Sequence, residues 1–190
     1  MSYTLIGGPC EGCEAIFEYE SEKELSNSDT STGFFKAIAE KMIIHGTIFE
    51  NDGKTPASNT ILYYYHTDEN GEYKNNKETG IWVQRHGELR GWIKTEEDGK
   101  YTIATQKPAS YPNSRNPAHI HLTVLENNGN YYWIEDIYFV GDPYLSSHKI
   151  EAVAARTCDS GVIELKKING ILTGNRDNIL GLNVPEYDGK

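Results

Sequence analysis

In the segment AHIHLTVL (118–125), a strand would send alternate side chains to opposite faces, with His119, His121 and Thr123 on one and Ala118, Ile120, Leu122 and Val124 on the other. Two imidazoles at i, i+2 spacing can reach a single cation, and imidazole is a common ligand for iron, copper, zinc and nickel. Taken alone, an H-x-H pair fits that role and fits a merely polar strand face equally well. Tyr111 changes the odds. It precedes Pro112, so its backbone is biased to an extended form that restricts where the phenol points. A free phenol titrates at about pH 10, which makes it a poor ligand for soft divalent ions, whereas a hard, highly charged ion such as Fe(III) can hold it as phenolate. One tyrosine with two histidines therefore points to ferric iron rather than zinc. The plain alternative is a tyrosine packed at a loop edge.

These residues need a scaffold, and the pattern around them is that of strands. The loop KPASYPNSRNPAHIH carries its prolines on either side of a polar stretch and runs directly into the histidine segment. Runs of β-branched and aromatic residues bounded by turn signals predict strands at MIIHGTIFE, TILYYYHT, GELRGWIKTE, GKYTIATQ, AHIHLTVLE and YYWIEDIYFV, with late strands in IELKKING and ILTGNRDNILGLNV. Helical spacing is weak at GFFKAIAEKM (33–42), and HKIEAVAARTC (148–158) predicts one short helix. The polar stretch SEKELSNSDTSTG (21–33) reads as a loop that separates an N-terminal segment from the main body. The expected fold is all-β: a single β-sandwich domain over 1–190, with long loops, at most one or two short helices, and residues 1–33 as an N-terminal extension and loop.

At 190 residues the chain suits one domain, which can bury roughly 70% of its unfolded surface and carry its own core. A 37% hydrophobic and 24% charged composition excludes most of the disordered class. The balance of 28 acidic against 18 basic residues gives a net charge of −10, which disfavours nucleic acid and anionic membrane surfaces as partners. The first twenty residues hold no basic n-region or apolar h-region, so a soluble, cytoplasmic protein is expected. Three cysteines exclude a full disulfide framework. Cys10 and Cys13 of CEGC suit a local disulfide or a packed thiol pair better than a zinc site, which would need Cys158 and a histidine as well. Neither a G-x-S-x-G elbow nor an H-E-x-x-H helix is present, which removes the usual hydrolase signatures, and no zinc deaminase signature is present either.

The ordered series GTIFENDGKTPASNTILYYYHTDENGEY, RGWIKTEEDGKYTIAT, KPASYP, NPAHIH and IYFVGDPYL, within roughly residues 44–145, resembles the intradiol ring-cleavage dioxygenases, the family of catechol 1,2-dioxygenase and protocatechuate 3,4-dioxygenase. GGPCEGCEAIFEY, YHTD, RHG-x-LRGW and GLNVP extend the resemblance to small single-domain members and to nearly the whole chain. The resemblance implies a β-sandwich holding non-haem Fe(III) through two tyrosinates and two histidines. It further implies a small aromatic diol and O2 as substrates, with the ring opened between its two hydroxyl-bearing carbons to a muconate-type diacid.

Residue by residue, Tyr111, His119 and His121 match one tyrosinate and both histidines. The other tyrosinate is expected at Thr79 or Gly80, neither of which is a tyrosine. A replacement donor is therefore sought in His86, whose segment QRHGELRGW leads into the strand expected beside the histidine strand. Tyr73 ranks behind it, because it coincides with a family tyrosine read as structural. His86 also suits an acid or base role near substrate, or a hydrogen bond within its own loop, with water completing the coordination shell. Arg115 stands one place before the position of the family arginine, now Asn116, and Asp136 stands where the family has a glutamine. The competing reading is a noncatalytic metal- or carbohydrate-binding sandwich with Trp82, Trp92 and Trp133 on its binding face. Sandwich edges and 13 tyrosines permit a homo-oligomer.

Overall fold

A computed structural model of the chain describes residues 2–19, 24–36, 40–75 and 80–188. Its strands are β1 (Thr4–Leu5), β2 (Ser28–Thr30), β3 (Lys41–Phe49), β4 (Ile61–Tyr65), β5 (Arg90–Lys94), β6 (Lys100–Gln106), β7 (His119–Leu125), β8 (Asn130–Phe139), β9 (Val162–Ile163), β10 (Lys166–Ile168), β11 (Ile171–Asn175) and β12 (Asn178–Ile179). Two short helices, α1 (Ile81–His86) and α2 (Ser147–Glu151), and 3-10 turns at Cys13–Glu18 and Thr32–Phe35 complete it.

The strands form two mixed sheets. The first runs β1-β8-β7-β4-β5, with β9 beside β8; the second runs β10-β11-β3-β6-β2, with β12 beside β3. Alternation along each strand supplies the layer between them. Leu62 and Tyr64 of β4 and Ile120, Leu122 and Val124 of β7 meet Met42, Ile44, Tyr101 and Ile103 of the other sheet in one buried cluster. The expected all-β sandwich is what the chain forms.

The opposite face of the first sheet is covered as well. Ala15 and Ile16 of the first 3-10 turn are fully buried against Ile61, Tyr63 and Leu125, with Phe17, Trp82 and Trp92 packed around them. Burying one such side chain is worth roughly 1.5–3 kcal/mol, so the N-terminal segment is part of the packed structure and not an appendage. Trp92 Nε1 donates to the Ile16 carbonyl at 3.0 Å. Trp82 and Trp92 are thus spent on packing instead of forming a binding face.

All six principal strands lie where the residue pattern predicts them. The stretch of weak helical spacing at 33–42 holds the end of the 3-10 turn Thr32–Phe35 and the start of β3 at Lys41, with residues 37–39 outside the described residues. The helix expected over 148–158 stops at Glu151, and Ala155 and Thr157 beyond it take positive φ of 50° and 63°, which a helix cannot include. The helix α1 was not expected, because its six residues between Gly80 and Gly87 are too few to show a period. β2 lies in the stretch read as a loop; it is polar and short because it forms a sheet edge on β6.

Candidate metal centre

β7 fixes the two imidazoles. Ile120 and Leu122 anchor its inner face in the core, so His119 and His121 project from the outer one, both half-buried. Their Nε2 atoms are 3.0 Å apart, and Tyr111 Oη, from the proline-bracketed loop after β6, is 3.2 Å from each.

Both imidazole tautomers follow from their neighbours. His119 Nδ1 donates to the Pro117 carbonyl at 2.7 Å, and His121 Nδ1 donates to Asp136 Oδ1 at 3.0 Å. A carbonyl and a carboxylate only accept, so each Nδ1 carries a proton, and in a neutral ring the lone pair is then on Nε2. Two such lone pairs at 3.0 Å repel unless a proton or a metal ion lies between them. Protonation is not the remedy for His119, since burial, then the proximity of His121, holds its pKa below the ordinary imidazole range.

Asp136 reaches His121 through a bulge. Ile120 pairs with Ile137 but Leu122 with Ile134, so Glu135 and Asp136 together oppose His121. Burial alone would raise the Asp136 carboxyl, but facing His121 and His119 outweighs this and keeps it below the usual carboxylate value. Its other oxygen accepts from Tyr138 Oη at 3.3 Å. His119, His121 and Asp136 are the cluster of metal-binding groups among the described residues, with donor atoms within 4.8 Å of one another.

Tyr73 is brought to the same point. The turn Asp68-Glu69-Asn70-Gly71 is closed by Asp68 Oδ1, which accepts from the Asn70 and Glu72 amides at 2.8 and 3.0 Å. This sets Tyr73 Oη 2.7 Å from Tyr111 Oη. Burial raises both phenols above their ordinary value, Tyr73 the further, so neither ionises near neutrality without a strong cation beside it. A phenol against two imidazole nitrogens, with a second phenol 2.7 Å from the first, is a donor set that fits a ferric ion, the hard cation that can hold phenolates.

His86 is not brought to that set. Its Nδ1 is 2.9 Å from Tyr63 Oη, and its ring lies on Tyr65 at 3.7 Å, 5° from parallel. Tyr65 in turn stacks on His121 at 4.6 Å and so stands between the two histidines. Burial, then the nearby His121 and Arg85, pushes the His86 pKa down to about 3. Gly80 offers no donor, and Thr79 lies outside the described residues. Arg115 is exposed and does not line the cavity; the guanidinium that does is Arg85, paired with Glu11.

A cavity of about 470 Å³ opens beside the centre, lined by His121, Tyr73 and Tyr111 at one part and by Trp133, Glu135 and the loop Pro9–Gly12 elsewhere. Cys10 and Cys13 are joined as a disulfide, and Cys158 is engaged separately by Arg176 Nη2 at 3.2 Å, so the cysteines assemble no zinc site. Gly12, at φ 93°, sits where a Cβ would come 2.7 Å from His86 Nε2. Sequence reasoning missed this loop as a cavity wall and missed Tyr65 as a spacer. The second was readable: alternation in ILYYY puts Tyr63 and Tyr65 on the histidine face, where they pair with Thr123 and His121. Among the described residues no helix is long and apolar enough to cross a membrane.

Comparison with known proteins places this geometry in context. The family model described as Dioxygenase matches residues 16–170. Catechol 1,2-dioxygenase of Acinetobacter baylyi is 33% identical over 119 residues, 54% of this chain and 37% of that protein. The protocatechuate 3,4-dioxygenase beta chain of Burkholderia cepacia is 26% identical over 121 residues, 57% of this chain and 48% of that one. The matches thus span a third to a half of these relatives' lengths. Among solved structures, the dioxygenase domain of a carbohydrate-binding fusion protein from Streptomyces sp. SirexAA-E superposes with a TM-score of 0.61 at 20% identity, covering 85% of this chain and 91% of that one. Catechol 1,2-dioxygenase of Acinetobacter radioresistens gives 0.63 at 17% identity, covering 86% and 58%. These structures share the fold.

Proposed function

We propose that this chain, which belongs to the intradiol ring-cleavage dioxygenase superfamily, is a non-haem Fe(III) enzyme that opens a catechol-type ring between its two hydroxyl-bearing carbons with O2. The observation that carries this reading is the convergence of the His119 and His121 Nε2 atoms, 3.0 Å apart, on the Tyr111 phenol, which is itself 2.7 Å from that of Tyr73. Tyr73, Tyr111, His119 and His121 would hold the ion, with Tyr73 preferred to His86 as the fourth donor. Bound there, Fe(III) would act as a Lewis acid that lowers the pKa of the substrate hydroxyls.

The remaining tasks fall to the chain's own groups. Asp136 is a positioning residue: it fixes the His121 tautomer and keeps Nε2 free to ligate. Either phenolate, Tyr73 or Tyr111, would be the base that takes a proton from an incoming diol. His86 lines the cavity, and burial keeps it uncharged at pH 7, so it adds no positive charge to that wall. Arg115 has no part in this scheme.

The test is product analysis. Iron-loaded protein given catechol under ¹⁸O2 should yield a ring-opened diacid carrying both labelled oxygens. Recovery of intact diol, or its oxidation to a quinone, would overturn the reading.

A further inference from the structure

The cavity holds more than one aromatic ring. Its volume of about 470 Å³ falls in the range that encloses drug-sized molecules, whereas a lone benzenediol on the Tyr73, Tyr111 and His121 side leaves the outer part unfilled. That outer part has a built wall. Trp133 on β8 pairs with Thr123, two residues along β7 from His121, a step of roughly 7 Å along the sheet face. This is close to the distance from the centre of one ring to the far side of a ring bonded to it.

Trp133 is also held rigidly. The Arg156 guanidinium covers one face of its indole at 3.5 Å from the ring centroid. Arg156 is itself buried and fixed, with Nη2 donating to the Gly7 carbonyl at 2.6 Å and its own carbonyl accepting from the Glu135 amide at 3.2 Å. Trp133 therefore meets the cavity as a preorganised aromatic surface. The charges nearby select against an acid. Glu11, Glu135 and Asp136 line the cavity, and the guanidinium that lines it, Arg85, is taken by Glu11.

We propose, resting on the ring-cleavage reading above, that the substrate is a catechol extended by an uncharged second ring, and that Trp133 is the specificity-determining residue on which that ring lies.

The experiment compares catechol, 4-phenylcatechol and 3,4-dihydroxybenzoate on the iron-loaded full chain. Dissociation constants are measured anaerobically by calorimetry, so that no turnover intervenes, and cleavage is followed separately in air. The expected result is that 4-phenylcatechol binds about 10-fold tighter than catechol, with the benzoate no tighter than catechol. Trp133→Ala should remove most of the phenyl advantage with the catechol constant changed less than about 2-fold, and Trp133→Phe should restore it. Equal affinity of the two neutral diols for the wild-type protein, preference for the benzoate, or a phenyl advantage that survives in Trp133→Ala overturns the proposal while leaving ring cleavage standing. If no diol is bound or cleaved, the ring-cleavage reading fails and this inference with it.

Discussion

Tyr73 Oη and Tyr111 Oη lie 2.7 Å apart, joining two phenols from separate loops at the edge of an imidazole pair. Sequence separation hides this relationship, because the DENGEY turn and the ASYP loop meet only once the first sheet has formed. Its consequence concerns the fourth ligand. Tyr73→Phe keeps the ring and deletes the donor oxygen, so iron retention and visible absorption should both fall. His86→Ala should leave both nearly unchanged while costing about 2 kcal/mol of stability through the emptied space and the orphaned Tyr63 hydroxyl. Metal analysis and thermal melts of the two variants check this, and iron loss confined to His86→Ala would refute the assignment.

Asp136→Asn tests the positioning role. An amide can offer N–H to His121 Nδ1 and favour the tautomer whose Nε2 is protonated, which cannot ligate. Iron affinity should drop roughly 10- to 100-fold with little change in melting temperature in the iron-free protein. A competition titration with a chelator reads the affinity.

Much of the site was legible in advance. That Tyr111, His119 and His121 would lie together was readable from residue type, alternation and the bracketing prolines, all local signals, and the structure does bring them together. The approach of Tyr73 to Tyr111 was not, because counting along the chain toward Thr79 and Gly80 assumes a loop path, and the tight turn held by Asp68 brings Tyr73 in early. Arg115 is exposed and away from the cavity, in a loop whose path no local pattern fixes. The strands were legible because two faces of one sheet are both covered, which leaves strong apolar patterns. The Pro9–Gly12 wall depends on an N-terminal segment folding back across that sheet, and no periodicity encodes such a contact.

Acid should unfold the protein through its buried neutral histidines. His66 is 1% exposed, with ring nitrogens 2.8 Å from the Thr67 carbonyl and Thr105 Oγ1. Burial lowers its pKa from 6.5 to about 4. The folded value lies below the unfolded one, so the unfolded chain binds more protons between them. The stability is present in full above about pH 6.5 and is lost as the pH falls toward 4, by up to roughly 3 kcal/mol. Melting temperatures from pH 7 to 4 should decline steeply in the wild type and less steeply in His66→Gln.

Iron uptake should release protons. Burial keeps the Tyr73 and Tyr111 phenols protonated at pH 7, and both must ionise to ligate Fe(III). Titrating ferric ion from a weak chelator of known protonation state, in buffers of different ionisation enthalpy, should give a net release of about two protons per iron. Release of none would mean that the phenols do not bind.

The central claim is a ferric centre that takes an aromatic diol, and the visible spectrum of the iron-loaded protein, before and after anaerobic catechol, tests it most directly. Tyrosinate bound to Fe(III) absorbs visible light by charge transfer. The account predicts a coloured protein with one iron per chain whose band shifts on adding catechol and weakens in Tyr73→Phe and in Tyr111→Phe. A colourless iron-loaded protein, or a band that catechol leaves unmoved, would contradict it.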